Sequence, residues 1–291
     1  MTNDPRLLPR LAAIVAVVFF STGGLAIKSV ALPPLAISGS RSAIAAVCLG
    51  LYILLALKQR IRFDLGRSGW AAAICYFLSL TAYVIANKWT TAANTIFLQY
   101  TMPAWVLIFG ALWLGERATW GRIISVTLSL GGLAVFFLED VEPQQWAGNM
   151  TAVFAGVTFA FVVLTLRRNR ERGAIHVVFW GNVITAACLL PVLFFDPALS
   201  FAEFNASALM GLVWLGVFQV AGAYVIYVWS LSRLPAIEVA ILSLVEPLLN
   251  PIWVFWMIGE APSSYAMVGG SIILTVVFLR SLWPEKSAAP A

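Results

Sequence analysis

A carboxylate set in the middle of an apolar run offers this chain its best opportunity for chemistry. Glu246 lies in the stretch Glu238 to Glu260, EVAILSLVEPLLNPIWVFWMIGE, and is followed at once by Pro247 and then by Asn250 and Pro251. Ionisable residues within membrane spans face the bundle interior and mark substrate or ion pathways. Glu246 could therefore hold an ammonium group or a proton, or it could be a hydrogen-bonded carboxyl that fixes the proline break. Ser243, Glu246, Asn250 and Trp253 follow one another by three or four residues, so on a helix they share a face. Tyr76, Ser79, Tyr83 and Asn87 do the same, and Tyr224 with Tyr227 forms an aromatic pair. Gln99 and Trp105, on either side of Pro103, complete the candidate substrate contacts. Tyrosines, a buried Trp and amides suit a flat apolar side chain, because aromatic rings offer area together with a polar handle. Plain helix-to-helix packing is the competing explanation for each aromatic.

Other chemistries lack their residues. No GxxxxGK[ST] phosphate loop, HExxH or GxSxG occurs. His176 is the single histidine, and Cys48, Cys75 and Cys188 are isolated in apolar runs, so neither metal, cofactor nor redox work is expected. The net charge of +5 does not indicate nucleic acid, because the basic residues sit between apolar runs rather than clustering on a polar face.

Composition sets the elements that must position these groups. With 61% hydrophobic and 11% charged residues and a mean hydropathy of +0.91, the chain belongs to the membrane class. Arg6 and Arg10 precede an apolar run from Leu11 to Val30 that resembles a signal peptide. Lys28 and a second run follow closely, which favours an uncleaved first helix. Further spans read as Leu35 to Leu57, Trp70 to Asn87, Thr91 to Leu114 and Trp120 to Leu138. Five more run Trp146 to Leu166, His176 to Phe195, Ala206 to Leu231, Pro235 to Ile258 and Tyr265 to Trp283. Most are close to the ~20 residues that cross a hydrocarbon core of ~30 Å. The fold class expected is an all-α integral membrane protein with ten transmembrane helices.

Of 18 Lys and Arg residues, all but Lys28, Arg41 and Lys88 fall on one side when both termini are placed inside. Lys28 and Arg41 can snorkel to the outer surface, and pairing with a substrate carboxylate is the alternative for Arg41. Trp70, Trp89, Trp120, Trp146 and Trp283 fall near span ends, as an aromatic belt would place them.

The stretch around Glu246 has a weaker copy 144 positions earlier, Asn94 to Glu116, NTIFLQYTMPAWVLIFGALWLGE, with Pro103 opposite Pro247. The chain thus divides into a first five-helix repeat over 1–138, an acidic linker over 139–145, and a second repeat with a short tail over 146–291. Five is odd, so the second half crosses in the opposite sense and the repeats are inverted, a recurring transporter architecture. Each proline lacks the N–H that would bond the carbonyl four residues earlier. Pro103 frees the carbonyl of Gln99, Pro247 that of Ser243, and Pro251 that of Pro247. Such groups are tolerated in lipid where they line a cavity. Gly23, Gly24, Pro103, Pro247 and Pro251 are the candidate flexing points.

The segments from Tyr83 to Glu116 and from Tyr227 to Glu260 resemble the paired signature of the drug/metabolite transporter superfamily, EamA type. Each has a proline in mid-membrane, a Gly-Glu at the exit, and then a helix rich in glycine, here Gly131 with Gly132 and Gly269 with Gly270. Lys28 and Arg41 also match the family pattern. The resemblance implies a secondary transporter of the bacterial inner membrane with cytoplasmic termini, similar to exporters of aromatic and other neutral amino acids. An exporter of lipophilic cations is the alternative, and a non-transporting membrane subunit or intramembrane enzyme a remote one. The expected partners are a small-molecule substrate and the lipid bilayer, with no nucleic acid. Proton coupling and either a monomer or a homodimer are compatible with the sequence. Glu246 stands opposite Met102 in the repeat, so the carboxylate is not explained by duplication.

Overall fold

Prolines and turn formers divide the chain into its helices. In a computed structural model, residues 6–116, 119–136, 138, 145–169, 173–191, 204–258 and 264–282 are described. The helices in the first half are α1 (Leu7–Ser21), α2 (Gly23–Ser29), α3 (Pro34–Leu51), α4 (Gly66–Trp89), α5 (Ala92–Gln99), α6 (Met102–Trp113) and α7 (Trp120–Phe136). The second half contains α8 (Trp146–Arg168), α9 (Ala174–Leu189), α10 (Ala206–Val213), α11 (Ala223–Leu231), α12 (Ala236–Leu242), α13 (Val245–Ile258) and α14 (Ser264–Leu282). Wider π-helical turns extend α3 over Tyr52–Ala56 and join α10 to α11 over Trp214–Gly222.

Starts follow local chemistry. Thr91 caps α5 by accepting from the N–H of Asn94 at 3.0 Å, and Asn205 caps α10 by accepting from that of Ala208 at 3.0 Å. Proline opens α3 and stands just before α12, where a missing N–H costs nothing.

Among the described residues, six stretches are long and apolar enough to cross a membrane: Leu7–Ser29, Pro34–Ala56, Gly66–Trp89, Asn94–Trp113, Trp146–Arg168 and Ala206–Leu231. Shorter apolar helices lie at Trp120–Phe136, Ala174–Leu189 and Met267–Leu279. Three spans expected to be continuous are broken, the first of them between α1 and α2 at Thr22. α5 gives way to α6 at Tyr100 and Thr101, and α12 to α13 at Ser243 and Leu244. Pro103 and Pro247 fall in the first turn of α6 and α13, where their ring is accommodated. The break also corrects the expected orphan at Ser243, whose carbonyl accepts from the N–H of Glu246 at 3.0 Å. At the α5–α6 break the Leu98 carbonyl accepts from both the N–H of Thr101 at 3.3 Å and its hydroxyl at 2.8 Å.

Packing between the halves is reciprocal. The α4 rod lies on α8, and the corresponding rod α10–α11 lies on α1 with α2. Likewise α4 packs on α9 as α10 and its π-helical extension pack on α3, and α5–α6 pack on α8 as α12–α13 pack on α1. In the pairs α3 with α9 and α7 with α14, the two members are each other's counterparts. Each half thus packs on the other through the same pairings.

Close approach is concentrated at glycines. A Cβ at Gly132 would sit 3.1 Å from the carbonyl oxygen of Gly269, and one at Gly269 would collide with the backbone of Gly132 and Phe136. The glycines of α7 and α14 therefore meet within one chain, whereas Gly131 faces open space. Gly269→Val should force the two helices apart and cost about 1–3 kcal/mol, the usual range for overpacking. A lowered unfolding midpoint of the detergent-solubilised protein, beside an unchanged Gly131→Val, would register it.

The acidic linker over 139–144, Asp196, Glu203, Glu260, Arg117, Arg170, Arg172 and the tail from Trp283 lie outside the described residues, as do the side chains of Asn250, Pro251 and Arg280.

Candidate functional site: a central cavity with separated charges

The α5–α6 and α12–α13 breaks and the aromatic faces of α4 and α11 meet around one cavity. It is lined by Phe20 from α1, Arg41 from α3, Ser79, Leu80 and Tyr83 from α4, and Gln99 and Tyr100 at the α5 break. Phe159 of α8, Gln219 and Val220 of the π-helical turn, Tyr224 of α11 and Glu246 of α13 complete it. The space is partly open, and its empty volume, outside solvent included, is about 450 Å³.

Glu246 is 8% exposed, and the Tyr100 hydroxyl donates to its Oε2. Tyr100 is the residue at which α5 stops, so the break that Pro103 imposes on the first half delivers a donor to the carboxylate of the second. No cation forms an ion pair with Glu246 among the described residues. The walls are aromatic: Phe20 meets Tyr224 edge-on at 5.0 Å and Tyr227 at 5.6 Å, and Phe159 stacks on Tyr227 at 6.5 Å.

Arg41 does not snorkel. It is 1% exposed, with Nη2 donating to the Leu80 carbonyl at 3.0 Å and Nη1 to Gln219 Oε1 at 3.3 Å. Lys28 instead donates to the Thr90 carbonyl at 3.1 Å and Lys88 to the Val30 carbonyl at 2.9 Å, strapping the turn after α2 to the turn after α4.

Of the residues singled out from sequence, Ser79, Tyr83, Gln99, Tyr224 and Glu246 line the cavity. Tyr76 and Tyr227 are buried one layer behind. Tyr76 packs on Tyr224 at 4.9 Å and accepts from Asn182 Nδ2 at 3.0 Å. Ser243 turns its hydroxyl back to the Val239 carbonyl at 2.9 Å, and Trp105 donates to Thr101 Oγ1 at 3.3 Å and stacks on Phe109, away from the cavity. Trp253 donates to Ser21 Oγ at 2.9 Å beside the α1–α2 break that precedes Gly23 and Gly24. Phe20, Leu80, Tyr100, Phe159, Gln219 and Val220 escaped sequence reasoning. For Tyr100 and Gln219 a signal existed: each is a polar residue in an apolar span.

At the end of the bundle where α1 starts and α8 finishes, polar contacts join the two halves. Arg10 Nε lies 2.7 Å from Glu238 Oε1, linking α1 to α12. Arg167 Nε lies 3.5 Å from Glu116 Oε1, which also accepts from the N–H of Ala236 at 3.3 Å. The Ser230 hydroxyl donates to the Pro9 carbonyl at 2.6 Å. The α12 residues between Ala236 and Leu242, apart from Glu238, are almost wholly buried.

Apolar helices that cross a membrane several times around a polar, aromatic cavity define a multi-pass membrane protein built to hold a small molecule. The chain belongs to the EamA-like transporter family, whose model matches it twice, over residues 8–138 and 146–282. It is similar to a probable terminal-alkyne amino-acid exporter of Streptantibioticus cattleyicolor, with 28% identity over 75% of each chain. It also resembles the pseudopaline exporter CntI of Pseudomonas aeruginosa, with 25% identity over 93% of this chain and 95% of that one. A crystal structure of a protein 20% identical superposes with a TM-score of 0.79 over 94% of this chain and 96% of the other, which bears on the fold alone.

Proposed function

We propose that this chain is a secondary exporter of aromatic and other neutral amino acids in a bacterial inner membrane, with both termini cytoplasmic. One observation carries the reading: Glu246, a buried carboxylate without an ion-pair partner among the described residues, faces an aromatic-walled cavity where an ammonium group would find charge and its side chain would find apolar area. The relative named as an amino-acid exporter supports the same substrate class.

Ten spans serve this function as two inverted halves, residues 1–138 and 146–291 joined by the linker over 139–145. The reciprocal packing of the halves supports the inversion. Their rocking about the cavity would alternate its access, with Gly23, Gly24, Pro103, Pro247 and Pro251 as flexing points. The end where Arg10, Glu116, Arg167 and Glu238 join the halves carries most of the basic residues and is therefore the cytoplasmic end. On this reading that end is closed and the chain stands in an outward-facing state. Glu246 would hold a proton on the return and the ammonium on the way out, coupling export to the proton gradient.

A second reading, export of lipophilic cations, draws on the same aromatic walls, since rings attract cations. Purified protein in liposomes separates the two. Counterflow of labelled phenylalanine, methionine or threonine without ethidium or methylviologen flux is expected. Dye flux without amino-acid flux would replace the first reading by the second.

A further inference from the structure

Two ionisable groups of opposite sign share the cavity without touching. Arg41 comes from α3 and is held by Gln219 and the Leu80 carbonyl, while Glu246 comes from α13 and is held by Tyr100. No ion pair joins them. A buried charge is strongly unfavourable unless paired, and here neither neutralises the other. Arg41 has five N–H donors, and its Nε is buried without a hydrogen-bond partner. Its bond to Gln219, at 3.3 Å, is long for a charged donor.

The surroundings are shaped to keep this guanidinium in place. Gly216 lets the π-helical turn lie against α3: a Cβ there would sit 2.9 Å from the Arg41 carbonyl and 2.6 Å from Ile44. π-Helical turns inside α-helices recur at functional sites. This one carries Gln219 between Arg41 and the α1–α2 break, where a Cβ at Gly23 would sit 2.7 Å from the Gln219 amide nitrogen.

We propose that Arg41, steadied by Gln219, receives the carboxylate of the substrate, so that the cavity takes zwitterions and refuses amines that lack a carboxylate. The inference rests on the amino-acid reading above and deepens it. A guanidinium matches a planar carboxylate through paired N–H donors, and the same charge repels a lone cation. Specificity then resides in both charges together, with the aromatic walls reading the side chain.

Competition against labelled phenylalanine in liposomes containing the full chain tests this. Unlabelled phenylalanine should compete at least about tenfold better than phenethylamine, in line with loss of one charge-assisted hydrogen bond. Arg41→Gln should erase that preference by raising KM for phenylalanine while leaving phenethylamine competition unchanged or stronger. Arg41→Lys, which keeps charge but not the paired donors, should fall between. Gln219→Glu, which sets a rival carboxylate beside Arg41 and leaves the arginine in place, should also weaken phenylalanine selectively. Equal competition by the two compounds in the wild type, or an equal loss for both in the variants, overturns the inference alone. Absence of any amino-acid flux in the wild type overturns the function it rests on as well.

Discussion

Glu246→Gln is expected to cut amino-acid flux by about ten- to a hundredfold, the range for removing one hydrogen bond to a charged group in a buried site. The amide has nearly the shape of the carboxyl and can still accept from Tyr100, so the helix break should survive. What disappears is the negative charge that faces the cavity. A purely structural Glu246 would show the opposite pattern, with lower stability and retained flux per folded molecule. The pH profile adds a second readout. Of the groups lining the cavity, Glu246 is the carboxylate, beside Tyr83, Tyr100, Tyr224 and Arg41. If it carries the coupled proton, the dependence of flux on pH should flatten in the glutamine variant. Flux and profile both unchanged in vesicles would reduce Glu246 to a structural role.

Glu238→Ala should open the opposite face of the machine. Arg10 is 2% exposed and its partner 15%, so truncating the glutamate leaves a guanidinium largely buried beside a void. Losing one member of a fully buried pair costs about 3–5 kcal/mol, and about 3 kcal/mol already changes a two-state ratio by about a hundredfold. The pair links α1 to α12 across the two halves, so its loss weakens the closed end rather than either half. Ala13, wholly buried on α1 between Arg10 and Phe20, reports on that end. A cysteine at Ala13 should be slow to react with maleimide supplied from the cytoplasmic side, and fast when Glu238→Ala is added. Exchanging the two charges, Arg10→Glu with Glu238→Arg, should restore protection. Equal labelling in all three would show that the pair closes nothing.

The broad architecture was legible because membrane helices advertise themselves by length and by where arginine stops. The prolines were legible too: Pro103 and Pro247, one in each copy, mark the α5–α6 and α12–α13 breaks to within a few residues. Spacing alone could not show what a break does to phase. Tyr100 occupies the turn that ends α5, so its direction follows from how α5 and α6 are offset, and no periodic pattern reports that. The π-helical turn over Trp214–Gly222 likewise shifts the register between α10 and α11, which hid Gln219 while leaving Tyr224 visible. Arg41 was ambiguous for a different reason. A cation early in a span can reach the surface or turn inward, and the choice depends on which face of α3 meets α4 and the π-helical turn. Ser243, Trp105 and Trp253 sit at the right spacing, yet each bonds to its own helix or a neighbour rather than lining the cavity.

On the proposed function, amino acids occupy the cavity between Glu246 and the aromatic walls. Ser79 lines that cavity, and a single cysteine there, with Cys48, Cys75 and Cys188 replaced, converts occupancy into a rate of alkylation. Phenylalanine should protect Ser79→Cys with a half-maximal concentration equal to its transport KM, and Glu246→Gln should abolish the protection. Alkylation unaffected by phenylalanine in a protein that still transports it would place the substrate elsewhere and contradict the account.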